Sequence, residues 1–167
     1  MEQFVNKVAE SGIVSRDLVS FLPKNEIAGF DLKPFLFREM ILKEKDYRAT
    51  LQTFDWEQYK NKFVAVYCSA DAIIQVWGYM LAVTYLQKAA ADVYFGKEED
   101  MQKHIVLKNI AEVNAADYTD KRVVIKGCGD TFIPEYAYVA ITQHLMPVVK
   151  SLMYGEPCST VPLYKKR

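Results

Sequence analysis

A chain that matches itself when shifted by 59 positions must build one supersecondary unit twice, and that narrows its folds more than any other feature here. Tyr59–Gly96 lies over Tyr118–Gly155 without a gap, and eight of the 38 positions are identical. These are Tyr59/Tyr118, Lys62/Lys121, Val64/Val123, Asp71/Asp130, Ile74/Ile133, Tyr79/Tyr138, Leu86/Leu145 and Gly96/Gly155. Chance gives about two at average residue usage. Val66/Ile125, Trp77/Tyr136 and Phe95/Tyr154 keep their character.

Each copy follows one order. Phe63–Tyr67 and Arg122–Lys126 are short runs rich in β-branched residues, the pattern of strands buried in a parallel sheet. A tight turn follows, reading Cys68-Ser69-Ala70-Asp71 in the first copy and Gly127-Cys128-Gly129-Asp130 in the second. Ile73–Ala90 and Ile133–Val149 are longer apolar-periodic runs and are predicted as helices; residues 91–96 and 151–155 are predicted return strands. The expected fold class is α/β: a duplicated strand–helix–strand unit forming one mainly parallel sheet, with an N-terminal helical extension. In that extension Phe4, Val5 and Val8 suit one side of a short helix, Glu26–Leu32 a short strand, and residues from about 34 to 53 a helix. Glu98–Val113 is a helical linker with Met101, Ile105, Val106, Leu107 and Ile110 apolar. The predicted organisation is a single domain over 1–167: extension 1–55, copy one 56–97, linker 98–116, copy two 117–158 and tail 159–167.

Lys+Arg and Asp+Glu balance at 21 each, so no basic face argues for nucleic acid. The terminal Lys165-Lys166-Arg167 is a solvated end. Met1-Glu2-Gln3-Phe4 lacks the basic start and apolar run of a secretory signal, and no stretch approaches the roughly 18 apolar residues of a membrane span. The expected location is the cytoplasm, where three cysteines remain thiols; their odd number prevents complete internal pairing in any case.

Those cysteines carry the sharpest expectation. Cys68 and Cys128 follow the first strands of their copies, and Cys158 follows the last strand of copy two. In one parallel sheet all three emerge at the carboxyl ends of strands, the edge where open α/β sheets bind ligands. Thiolate selects zinc, cuprous copper or iron–sulfur clusters. Ser69, Asp71, Asp130 and Glu156 are the neighbouring candidates for a fourth ligand or supporting bonds. Each residue also has a plainer reading. Cysteine packs as a small hydrophobe, and an aspartate between a strand and an apolar helix is the expected N-cap. Cys128, between Gly127 and Gly129, is the hardest to explain by packing. His104 and His144 sit in helical patterns and read as surface or packing residues. There is no GxGxxG, Walker loop or GxSxG elbow. The aromatic residues Trp77, Tyr79, Tyr85, Tyr136 and Tyr138 read as core or as a pairing surface.

Cys68–Ala72, Val124–Cys128 and Gly155–Lys165 together resemble an uncharacterised bacterial family known as a domain of unknown function, and the likeness runs nearly end to end. That family has no established activity, so it assigns no catalytic residue. Its genes lie near iron–sulfur assembly genes, and the resemblance therefore implies cluster assembly, trafficking or repair with a protein partner. The leading expectation is an accessory protein that binds zinc or an iron–sulfur cluster through Cys68, Cys128 and Cys158, without turnover. The rivals are a non-catalytic interaction module, homo- or hetero-oligomeric, with packed cysteines, and a thiol-dependent enzyme.

Overall fold

The computed structural model describes residues 12–127, 129–156 and 158–167. The short helix predicted around Phe4, Val5 and Val8 lies outside them. In chain order the elements are β1 (Ile13–Asp17), β2 (Ile27–Asp31), α1 (Glu44–Thr53), β3 (Phe63–Tyr67), α2 (Val76–Leu86), β4 (Asp92–Phe95), α3 (Glu98–Ala111), β5 (Arg122–Lys126), α4 (Glu135–Leu145), β6 (Ser151–Glu156) and β7 (Ser159–Lys165). The class is α/β and the sheets are mainly parallel, as expected. The elements β3, α2 and β4 recur as β5, α4 and β6, each starting 59 residues later.

The expectation of a single sheet is corrected. The described residues form two sheets, one of order β2-β3-β4 and one of order β1-β5-β6-β7. Each copy brings two parallel strands, and the N-terminal stretch adds a third to each: Ile27 pairs with Phe63, and Ile13 with Arg122. Among the described strands only β7 runs antiparallel, returning directly from β6. A helical N-terminal extension is therefore not what residues 12–55 form. The helix predicted from 34 to 53 exists only as α1, preceded by a 3-10 turn at Lys33–Phe35. Arg38 and Glu39 take φ of 51° and 56°, a left-handed turn through which no helix continues. Across that turn the Phe37 amide donates to the Ile41 carbonyl at 2.8 Å.

The chain divides into two compact units. One is Pro23–His104, with the first copy; the other joins Ile105–Arg167, with the second copy, to the N-terminal stretch ending at Leu22. The first-copy core is built on rings, with Trp56 5.5 Å from Phe30 and 5.1 Å from Tyr85 between centroids. In it the Tyr47 hydroxyl donates to the Gly78 carbonyl at 3.2 Å, and burial holds that phenol protonated far above its ordinary range. The second-copy core is mainly aliphatic, with Leu18, Val123, Ile125, Ile141, Leu145 and Leu152. Among the described residues no helix is long and apolar enough to cross a membrane.

Urea denaturation is expected to separate core from surface. Leu51→Ala and Ile141→Ala, both fully buried, each cost about 2–5 kcal/mol. Val139→Ala on exposed α4 surface costs less than about 0.5 kcal/mol.

Candidate functional site at the carboxyl edges of the sheets

The turns after β3 and β5 lead to helices that begin later than the sequence pattern indicates. α2 starts at Val76 and α4 at Glu135, with Gln75 and Pro134 at the cap positions and no side-chain cap bond at either. The reading of Asp71 and Asp130 as N-caps is thereby corrected: both lie exposed in the preceding loops. The stretch between strand and helix contains a bend that an uninterrupted apolar pattern conceals.

Aspartates that end the N-terminal strands instead hold the backbone that follows them. Asp17 accepts the Val19 amide at 2.9 Å. Asp31 Oδ1 accepts the amides of Lys33 and Ser69, each at 2.9 Å, and Oδ2 accepts the Ser69 hydroxyl at 2.5 Å. Burial works against the Asp31 carboxylate, but these bonds and the Lys33 charge outweigh it and hold the carboxyl below its ordinary range. They also fasten the Cys68-Ser69 turn to the end of β2. Burial raises the Tyr79 phenol, and the neighbouring Cys68 and Asp31 raise it further. Cys68 itself is half-buried against the ring-rich core, with its Sγ 4.0 Å from the Ala70 carbonyl oxygen. That is the setting of a packed thiol.

The second-copy edge is built differently. Lys126 Nζ at the end of β5 and Glu156 Oε2 at the end of β6 form an ion pair at 3.0 Å. The Tyr138 hydroxyl donates to the Gly127 carbonyl at 3.2 Å. A Cβ at Gly127 would collide with that hydroxyl, so a side chain there would force Tyr138 to move. Gly129 takes φ of 146°, open to glycine but strained for other residues. Cys128 lies outside the described residues. Cys158 is exposed in the turn between β6 and β7. One aromatic contact is common to both units: Tyr138 meets Tyr154 edge-on at 5.8 Å, and Tyr79 meets Phe95 edge-on at 5.2 Å.

The predicted site residues are thus distributed over two edges. Cys68, Ser69 and Asp71 follow β3 in one sheet, whereas Asp130 and Cys158 follow β5 and β6 in the other. Among the described residues, no three His, Cys, Asp or Glu side chains gather as a metal site requires. His104 stacks on Tyr94 at 4.3 Å, and His144 meets the Val113 carbonyl at 2.7 Å. Sequence reasoning passed over Asp17 and Asp31, although their segments carry a signal. Ile13–Leu18 (IVSRDL) and Ile27–Leu32 (IAGFDL) share isoleucine, aspartate and leucine at an offset of 14. It also passed over an open cleft of about 360 Å³ lined by Tyr138, Tyr154 and Glu135.

The sequence model of the family described as "Protein of unknown function (DUF2480)" matches residues 2–166, and the chain belongs to that family. No curated protein and no solved structure matches it.

The Asp31 network fixes a pH dependence. Because folding lowers this carboxyl, its contribution to stability is complete above pH about 4 and is lost as pH falls through the folded value. Asp31→Asn is expected to lower stability at pH 7 and to flatten the acid limb of a stability profile measured by urea denaturation. An unchanged acid limb would show that the hydrogen bonds do not hold that carboxyl down.

Proposed function

We propose that this member of the family is an accessory or carrier protein that holds zinc or an iron–sulfur species through Cys128 and Cys158, at the carboxyl edge of the four-stranded sheet. The observation that supports this reading is the Lys126–Glu156 ion pair, which ties the ends of neighbouring parallel strands at 3.0 Å. Each partner of that pair stands two residues before a cysteine, Cys128 in one case and Cys158 in the other. Two thiolates brought together at that edge would suit a soft metal. Two protein ligands leave coordination positions for a partner protein, as a carrier in cluster assembly needs and a closed structural site does not. Asp130, two residues after Cys128, is a carboxylate that could supplement the thiolates, Glu156 being already paired with Lys126. Exposure of Cys158 permits exchange with such a partner, and a reducing cytoplasm would keep the thiols available. Cys68, packed in the other unit, is left out of the ligand set.

A second reading is favoured by a separate observation. Val76 and Met80, one turn apart on α2, are 74% and 68% exposed, and Ile73 in the loop before the helix is 95% exposed. Such apolar exposure suits an interaction module in which a second copy of the chain covers it.

Elemental analysis and a visible spectrum on protein purified without oxygen or chelator discriminate the two. For the carrier, near-stoichiometric zinc, or iron with sulfide, is expected. Cys128→Ser and Cys158→Ser should each abolish it, and Cys68→Ser should retain it. Metal-free protein that takes up neither zinc nor a reconstituted cluster overturns the carrier. A dimer in sedimentation that Met80→Asp dissociates would then support the module.

A further inference from the structure

We propose that the cleft between α4 and strands β5, β6 and β7 binds a small organic cation, an amine or ammonium group carried on an aromatic or branched aliphatic body. This is independent of the metal reading. The cleft lies toward the carboxyl ends of β5 and β6, where parallel sheets bind ligands. Its volume of about 360 Å³ falls within the range of small-molecule pockets. Ile125, Ile133 and Leu163 give apolar surface, and Tyr138 and Tyr154 supply rings set edge to face. Among the described residues Glu135 is the one charged residue in the lining. It forms no ion pair or hydrogen bond with any described residue, so its carboxylate is available to a cation in a cleft whose lining also includes two aromatic rings.

The comparison between copies carries the inference further. At an offset of 59, Glu135, Thr142 and Tyr154 stand where the first copy has Val76, Val83 and Phe95. Ile125, Ile133 and Tyr138 stand over Val66, Ile74 and Tyr79 and keep their character. The shared scaffold therefore does not require polar groups at those three positions, yet the second copy places all three in the wall of one cleft. An acid in the first turn also suits the helix dipole. That effect accounts neither for Thr142, two turns further along α4, nor for Tyr154 on β6. Leu163 comes from β7, a strand with no counterpart in the three-stranded sheet. The second-copy unit has thus gained a wall as well as a charge.

Titration of the full chain with phenethylamine, followed by amide chemical shifts, tests the proposal. Saturable shifts confined to cleft residues are expected, with a Kd of about 1 mM or tighter for so small a probe. Glu135→Gln should weaken the amine at least about five-fold while leaving the rest of the amide spectrum unchanged. Thr142→Val, which restores the first-copy residue, should weaken it by about two-fold. The neutral 2-phenylethanol and the anionic 3-phenylpropionate should bind at least about five-fold more weakly than the amine. Absence of saturable shifts at the cleft, equal binding of the alcohol or carboxylate, or an unaltered affinity in Glu135→Gln would each overturn it.

Discussion

Parallel strands cannot be closed by a short turn, and the arrangement of this molecule follows from that constraint. Each copy supplies two parallel strands joined through a helix, and two strands make too small a sheet to persist alone. The chain before the repeat completes both. β1 joins the second-copy sheet and β2 the first-copy sheet, so the N-terminal strands are used in the reverse order of the copies they serve. The joints match closely: Asp17 pairs with Lys126 and Asp31 with Tyr67, positions 59 apart in the two copies. Each aspartate ends its strand and accepts an amide from the 3-10 turn that follows. In each sheet, the parallel strands therefore finish together on one edge.

The chemistry lies in how the two edges differ. In the first-copy unit Asp31 binds the turn after β3 through Ser69, and Cys68 rests against rings. In the second-copy unit the equivalent turn is flanked by glycines, its carbonyl is held by Tyr138, and the strand ends are joined through Lys126 and Glu156. The β6–β7 return adds a wall and an exposed cysteine that the other sheet lacks. One scaffold thus ends beside a half-buried thiol in one copy and beside an exposed thiol and a cleft in the other.

The strand–helix–strand order was legible because buried parallel strands and amphipathic helices leave different periods in the sequence, as in Phe63–Tyr67 and Ile133–Val149. Division into two sheets was not, because periodicity records which face is buried and not which strand lies alongside. The helix expected from 34 to 53 failed at Arg38 and Glu39, whose left-handed backbone is a property of the turn and not of residue type. Asp71 and Asp130 failed as caps for a related reason: the loops before α2 and α4 hold several residues that an apolar pattern alone assigns to helix. Of the candidate site, the cysteines and Glu156 were legible from residue chemistry. The Lys126–Glu156 pair and the cleft with Glu135 were not, since both depend on β5 and β6 being neighbours.

Proximity of Cys128 and Cys158 is the point on which the functional reading rests. Treatment of the reduced, metal-free Cys68→Ser chain with dibromobimane tests it directly, because this reagent becomes strongly fluorescent when it bridges two nearby thiols. Neighbouring cysteines give one bimane per chain, strong fluorescence and a cross-linked pair of peptides containing Cys128 and Cys158. Separate alkylation of the two cysteines, with no cross-linked peptide and no fluorescence, would contradict a shared thiol site at the carboxyl edge of β5 and β6.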